Sequence, residues 1–304
     1  MKTLMRSRIQ ATRLIATLLG TCALALLSAL ALGTLWQAAP AQAAPAATLG
    51  TQFPLYVSNF GNNDILRVAI SGTQRGLTRA GNISFPWLGL AFDSSGNLYV
   101  SNQGNDDVVK VSITGTQSVF TRVSTPCSIA FDNNDNLYVS AYAGDAIIKV
   151  DPAGVQSTFA SGGNISTPCG VAFDSSGNLY VASGPNSTIV KVDAAGNQSV
   201  FATGGLVNWP WAMAFDSNGN LYVSNQIGDN IIKIDPVGNQ STFTSGGHLS
   251  SPNSLAFDAN GNLYVASGNN SIVEVDSTGA QTVFASGGKL GFPTGLAFKR
   301  SGRP

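Results

Sequence analysis

The sequence carries little charge, with 11% charged residues in 304, a single histidine (His248) and a single glutamate (Glu274). Nucleic-acid binding requires clustered basic side chains that neutralise phosphates, and no basic patch is visible. A lyase or a Ser-His hydrolase would have to use His248. No phosphate loop, HExxH, CxxC or nucleophile elbow occurs, so we predict no cofactor and exclude nucleic acid as a partner.

Cysteine is also scarce, and Cys22, one of three, lies in an N-terminal segment that has no acidic residue. Its apolar run, residues 14–36, is followed by Ala41-Gln42-Ala43, which predicts a signal peptide over residues 1–43. Uncleaved, the run is long enough to span a bilayer, and only then do we expect membrane association. The run is preceded by four basic residues, Lys2, Arg6, Arg8 and Arg13.

Cleavage would leave a net charge near −4 and place the protein in the periplasm or outside the cell. Residues 44–52 begin with an Ala- and Pro-rich stretch and are predicted to be a disordered lead-in. Residues 53–304 form the remaining domain.

A repeat runs through this domain. Leu-Tyr-Val recurs six times at intervals of about 42 residues, which is typical of solenoids and propellers. The copies begin at Leu55, Leu98, Leu137, Leu179, Leu221 and Leu263.

One repeat unit, Pro168 to Trp209, contains four short apolar runs, GVAFD, LYVAS, TIVKVD and QSVFAT, which we name strands A to D. Turn residues such as Asp174 and Gly177 separate them. The links are too short for crossover helices, and no helix fits, so each unit is a meander of four antiparallel strands.

The chain begins with a strand B at Leu55 and ends with a strand A at Gly295–Phe298. Pairing these two ends completes one blade and closes the ring. The predicted fold is therefore all-β: a six-bladed β-propeller, with four antiparallel strands per blade and one composite blade made from both termini.

The unit P-x-G-[LV]-A-F-D-S-S-G-N-L-Y-V-[AS]…I-[IV]-K-[VI]-D resembles the NHL repeat of bacterial six-bladed β-propellers. The resemblance covers nearly all of the mature chain and is specific for the fold. It implies functions as varied as ligand binding, gluconolactonase-like metal-dependent hydrolysis and cleavage of streptogramins by a lyase.

Strand A begins, and strand B ends, on one face of the disc, which we call the mouth face. Residues that follow the proline of each unit differ between blades and are candidates for a binding site. These are Trp87, Cys127, Cys169, Trp211, Asn253 and Thr294. Asn102 and Asn225, at the ends of two B strands, are further candidates. Trp87 and Trp211 stand on opposite sides of the ring and either clamp a ligand or plug the channel.

We assign no catalytic or metal-binding residue. Most aspartates end strands A and C at turns away from the mouth face. Five others lie in loops between strands B and C, where we expect caps of loop backbone rather than cation ligands. They are Asp64, Asp106, Asp107, Asp145 and Asp229. His248 is predicted to be an exposed loop residue.

Cys127 and Cys169 occupy equivalent positions in adjacent blades. Export favours a disulfide, whereas Cα atoms more than ~7 Å apart would leave two buried thiols lining the channel. The sequence leaves both alternatives open.

These patterns favour a non-enzymatic, exported, monomeric propeller that binds a small ligand, a glycan or a protein at its channel mouth. The alternative is a gluconolactonase-like hydrolase or a streptogramin-lyase-like enzyme with divergent loops. A purely structural repeat of the cell envelope is the third interpretation.

Overall fold

The computed structural model describes residues 54–78 and 81–299, which form a six-bladed β-propeller with four antiparallel strands in every blade. This confirms the predicted fold class. The predicted signal peptide and lead-in, residues 1–52, lie outside the described residues. Within the described ranges, no helix is long and apolar enough to cross a membrane.

Each blade runs from an innermost strand at the channel to an outermost strand at the rim. The composite blade consists, in that order, of β24 (Pro293–Phe298), β1 (Leu55–Asn59), β2 (Asp64–Val68) and β3 (Gln74–Gly76). Blade 2 consists of β4 (Pro86–Phe92), β5 (Leu98–Asn102), β6 (Asp107–Val111) and β7 (Gln117–Arg122). Blade 3 consists of β8 (Pro126–Phe131), β9 (Leu137–Ala141), β10 (Ala146–Val150) and β11 (Gln156–Ser161).

Blade 4 consists of β12 (Pro168–Phe173), β13 (Leu179–Ser183), β14 (Thr188–Val192) and β15 (Gln198–Thr203). Blade 5 consists of β16 (Pro210–Phe215), β17 (Leu221–Asn225), β18 (Asn230–Ile234) and β19 (Gln240–Ser245). Blade 6 consists of β20 (Pro252–Phe257), β21 (Leu263–Ser267), β22 (Ser271–Val275) and β23 (Gln281–Ser286). Three single-turn 3-10 helices follow second strands, at Phe60–Asn62, Gln103–Asn105 and Tyr142–Gly144.

The ring is closed by its two ends. Strand β24 pairs antiparallel with β1, with Leu55 opposite Phe298 and Val57 opposite Leu296. The backbone groups at the inner edge of β1 are therefore satisfied by the far end of the chain. This confirms the composite blade.

Tyrosine and phenylalanine rings join neighbouring blades. In blade 4, Tyr180 packs edge-on against Phe201 of its own blade at 4.9 Å and Phe215 of blade 5 at 5.0 Å. The Lys191 ammonium lies 5.5 Å from the Tyr180 ring centre on the remaining side. The contact between a tyrosine and the phenylalanine of the next blade recurs at all six junctions, and at the closing junction Tyr264 packs against Phe298 at 5.0 Å. The cores between blades are thus nearly equivalent, as a repeat requires.

A second link between blades uses the glutamine that begins each outer strand. Its side chain reaches the loop that leaves the preceding blade: Gln240 Oε1 accepts the N–H of Leu206 at 2.7 Å. Gln74 closes the belt, because its Oε1 accepts the N–H of Lys289 at 2.6 Å. The belt comprises Gln74, Gln117, Gln156, Gln198, Gln240 and Gln281.

Candidate functional site

On the mouth face, the loops that lead into each strand A have an unusual backbone geometry. The residue before each strand-A proline has a positive φ, between 40° and 55°, which side-chain-bearing residues rarely adopt. Its N–H is held by a side chain from the preceding blade; for example, Asn63 Oδ1 accepts the N–H of Phe85 at 2.7 Å. The positive-φ residues are Phe85, Thr125, Thr167, Trp209, Ser251 and Phe292.

Three loop aspartates provide the same support. Asp106, Asp145 and Asp229 accept the N–H groups of the positive-φ residues that begin the next blade, at 2.6–2.7 Å. Their carboxylates therefore serve as loop caps, as the sequence predicted.

The other two mouth-face aspartates bind asparagine amides. Asp64 accepts Asn59 Nδ2 and Asp107 accepts Asn102 Nδ2, each at 2.7 Å. Burial raises the pKa of both carboxyl groups, and the amide hydrogen bonds partly oppose that rise. These pairs hold loops together.

Asn102 and Asn225, both predicted to contact ligand, are fully buried. Asn102 Nδ2 also donates to the carbonyl of Asn82 at 2.7 Å, and its Oδ1 accepts the N–H of Ser84 at 2.6 Å. Asn225 bonds equivalently to Leu206, Asn208 and Asn230. The side-chain amides of both residues form their hydrogen bonds with neighbouring loops.

The ring of residues that follows the prolines forms a buried layer. Of its six members only Trp87 is partly exposed. Cys127 and Cys169 are joined by a disulfide with Cα atoms 5.2 Å apart, which decides between the two alternatives. Thr294 donates to the carbonyl of Pro86 at 2.9 Å, and Asn253 donates to that of Pro293 at 3.4 Å.

The two tryptophans meet across the channel. The ring centres of Trp87 and Trp211 are 6.4 Å apart at 76°, which is direct edge-on contact. Tyr142 contacts Trp211 from blade 3, also at 6.4 Å. The indole Nε1 of Trp211 is buried and has no hydrogen-bond partner within the part of the chain that the structure describes. Direct contact between the indoles is the arrangement expected of a plug, and it leaves no room for a ligand ring between them.

Above this plug lies an aromatic group that the sequence patterns did not indicate. The Phe60 ring centre is 5.2 Å from that of Phe85, 5.9 Å from that of Phe292 and 5.1 Å from that of Trp87. Phe85 is 50% exposed, and Phe60 and Phe292 are partly buried. We call Phe60, Phe85 and Phe292 the phenylalanine patch. The sequence feature that could have indicated Phe85 and Phe292 is that the residue before each strand-A proline varies between blades. This residue lies two positions before the predicted candidates.

Metal binding and acid–base chemistry find little support among the residues present. No group of three or more His, Cys, Asp or Glu suited to a metal ion occurs in residues 54–78 and 81–299. His248 is exposed in the loop that leaves blade 5, and its backbone N–H donates to Gln281 at 2.7 Å. Beside its aromatic rings and amides, the mouth face carries the carboxylates of Asp106, Asp145 and Asp229, which accept loop N–H groups.

The profile of the virginiamycin B lyase family matches residues 13–275, most of the chain. No curated protein matches the chain by sequence.

Solved structures of other propellers resemble the chain at low sequence identity. A catalytically inactive histidine-to-alanine variant of virginiamycin B lyase from Staphylococcus aureus, with quinupristin, is 16% identical, with a TM-score of 0.62 over 83% of this chain and 94% of that one. A nidogen/laminin complex chain is 18% identical, with a TM-score of 0.72 over 81% and 98%. A calcium-binding protein, regucalcin from Agrobacterium tumefaciens, is 17% identical, with a TM-score of 0.55 over 65% and 72%. At these identities the likeness concerns the fold alone.

Proposed function

Since the chain belongs to the virginiamycin B lyase family, we propose that it is an exported relative of those lyases that binds a neutral ligand on its mouth face without cleaving it. The observation that carries the proposal is the phenylalanine patch, in which Phe85 is half exposed and Phe60 adjoins the tryptophan plug. Exposed, contiguous aromatic surface commonly marks a binding site in a soluble protein.

The lyase alternative depends on a histidine. The relative solved with quinupristin is inactive after a histidine-to-alanine substitution, which indicates that its catalysis needs that side chain. This chain has one histidine, His248, which lies exposed in the loop between the outermost strand of blade 5 and the innermost strand of blade 6. General acid–base catalysis requires the group within hydrogen-bond reach of the reacting atoms. His248 is therefore a poor candidate for that role.

The gluconolactonase-like alternative depends on a bound cation. Regucalcin is described as calcium-binding, and Ca²⁺ takes six to eight oxygen ligands, usually including several carboxylates. Here the five mouth-face aspartates are spread over four blades, and their carboxylates accept hydrogen bonds from loop N–H groups or amides. The residues present do not fit a calcium site.

Export agrees with the disulfide between Cys127 and Cys169, since such bonds persist in oxidising compartments such as the periplasm. A small ligand, a glycan and a protein segment remain the partner classes under this proposal, with the protein acting as a monomer. Membrane association would require the predicted signal segment to stay uncleaved.

A titration of the purified mature protein separates the two enzyme alternatives from binding. The panel contains quinupristin, Ca²⁺, an aromatic peptide and neutral oligosaccharides, monitored by melting temperature and tryptophan fluorescence. We expect at least one organic member to raise the melting temperature in the parent and not in Phe85→Ser. Conversion of quinupristin detected by mass spectrometry, or stoichiometric binding of Ca²⁺, would overturn the proposal.

A further inference from the structure

We propose that the neutral ligand is a glycan, with a sugar ring stacked on the phenylalanine patch and its hydroxyl groups bound by the surrounding asparagines. This inference rests on the proposed function and assigns its ligand class. It places the site over the junction of the composite blade with blades 2 and 6, next to the tryptophan plug.

Two phenylalanines of the patch hold a costly backbone conformation. Phe85 and Phe292 have φ values of 48° and 55°, a region that is strained for a bulky residue. Three other blades place Thr or Ser in this position. Phe85 remains half exposed, so burial within the protein returns little of that cost. A ligand that covers the ring accounts for an aromatic residue at this position.

The backbone is built closely around the patch. A Cβ added to Gly104 would lie 2.7 Å from Phe85 Cδ2, and one added to Gly61 would lie 2.8 Å from the Gly291 carbonyl oxygen. Both contacts are too short for a side chain. The loops therefore fix the position of the rings, which lowers the ordering cost of binding.

Neutral polar groups lie beside the rings. Asn62 Nδ2 donates to the carbonyl of Lys289 and Asn105 Nδ2 donates to that of Asn82, and both asparagines are exposed. Asn63 uses its Oδ1 on Phe85 and retains its Nδ2 donor. The patch is thus flanked by amide acceptors and donors, with Asp64 and Lys289, whose charges interact, in the adjoining loops.

This combination fits a sugar ring better than a purely apolar ligand. The face of an aromatic ring is negative and attracts the polarised C–H groups of a pyranose, while hydroxyl groups at the sugar edge need donors and acceptors. An apolar ligand would leave the amides without partners, and the charge of Lys289 beside the patch is offset by that of Asp64, with which it interacts. The ligand expected is therefore an uncharged saccharide.

The test is calorimetric and fluorescence titration of the parent with cellohexaose, chitohexaose, maltohexaose and xylohexaose, with quinupristin and the aromatic peptide in parallel. We expect at least one hexasaccharide to bind, with affinity unchanged between 50 and 500 mM NaCl because no charge pair forms. Phe85→Ser introduces the residue type that blade 6 has at this position and should weaken binding at least tenfold. Phe85→Trp should retain it, and Asn105→Ala should weaken it several-fold.

Val237→Ser, at an 82% exposed residue in a turn on the opposite face, is the matched control and should bind as the parent does. Melting curves of all variants establish that they are folded. If quinupristin or the aromatic peptide binds and no hexasaccharide does, the glycan assignment is wrong although binding at the mouth stands. Saccharide binding that Phe85→Ser leaves unchanged would also overturn the assignment.

Discussion

The backbone N–H of Phe60 donates to the carbonyl oxygen of Phe292 at 3.1 Å, and their rings lie 5.9 Å apart. Phe60 follows the first strand of the chain, whereas Phe292 precedes the last. The N–H of Gly61 extends the contact by donating to the carbonyl of Gly291 at 2.7 Å. The phenylalanine patch is therefore assembled only when the two ends of the chain meet, which links ligand binding to ring closure.

Deleting residues 295–304 should open the ring, because the deletion removes most of β24 and exposes the inner edge of β1. We expect aggregation or a large loss of stability, together with loss of ligand binding. Size-exclusion chromatography and thermal melting provide the measurement. A deletion of residues 300–304 alone, beyond the last strand, is the control. A monomeric 1–294 chain that melts like the parent would refute closure by the termini.

The propeller was predictable from the sequence because its determinants are local and repeated six times. Leu179, Tyr180 and Val181 fix the second strand of a blade, and Asp174 with Gly177 fixes the turn before it. Closure of the ring was predictable because the repeat region begins with a strand B and ends with a strand A, each without the rest of its unit. Such inferences need only short-range patterns and strand counting.

The phenylalanine patch was not predictable in the same way. Phe60 follows a second strand, whereas Phe85 and Phe292 precede two different inner strands, and the contact of the three rings depends on the positive φ of Phe85 and Phe292, which no side-chain pattern indicates. The amides of Asn102 and Asn225 were expected to contact ligand because their position on the mouth face was clear, whereas their burial was not. Burial of polar side chains depends on packing that only coordinates reveal.

Asp174→Ala should lower stability without changing binding. Asp174 Oδ1 accepts the N–H groups of Ser176 and Asn178 at 2.9 and 2.8 Å, on the face away from the mouth. Loss of such a turn cap costs about 1 kcal/mol. Denaturant unfolding measures the loss, and Asp174→Asn, which retains an acceptor oxygen, should lose less. Unchanged unfolding with impaired ligand binding would contradict the structural role.

Glu274→Gln should stabilise the protein at neutral pH. Burial raises the pKa of Glu274 above its ordinary value of 4.5, and the nearby Asp258 and Asp276 charges raise it further against a hydrogen bond from Tyr264. The folded state thus binds this proton more tightly than the unfolded chain. The resulting stability is present below pH 4.5 and is lost as the pH rises through the folded pKa. We expect the variant to melt higher than the parent at about pH 7 and alike at about pH 4.

Glu274→Lys extends this experiment, because the other five blades place a cation 5.4–5.8 Å from the equivalent tyrosine ring. A lysine over Tyr264 should add about 0.5–1 kcal/mol by the cation–π interaction. Lys191→Gln, which removes such a contact from blade 4, is the matched control and should lower stability. A Glu274→Gln variant that melts below the parent at neutral pH would show that burial does not disfavour the carboxylate.

Removing the disulfide should destabilise the inner strands of blades 3 and 4. The two cysteines are 42 residues apart, and the chain-entropy model assigns about 4 kcal/mol to a loop of that length. Cys127→Ala/Cys169→Ala should therefore unfold at a markedly lower guanidinium concentration, as should the parent refolded in a reductant. Identical midpoints for the double variant and the parent, with the parent's thiols confirmed as oxidised, would show that the cross-link contributes nothing.

The tryptophan pair can be tested by substitution, because a plug and a clamp differ in what the loss of a ring changes. Trp211 is 5% exposed and touches both Trp87 and Tyr142, so Trp211→Ala leaves a cavity at the channel mouth and should cost about 3–5 kcal/mol. Trp87→Ala should cost less, because that ring is already partly exposed.

Rings in direct contact leave no room for a sugar between them, so ligand affinity at the patch should fall far less in Trp211→Ala than in Phe85→Ser. Unfolding and titration are measured on the same samples. A Trp211→Ala protein that keeps its stability and loses its ligand would restore the clamp, because only a ring that contacts ligand rather than protein can be removed without a packing cost.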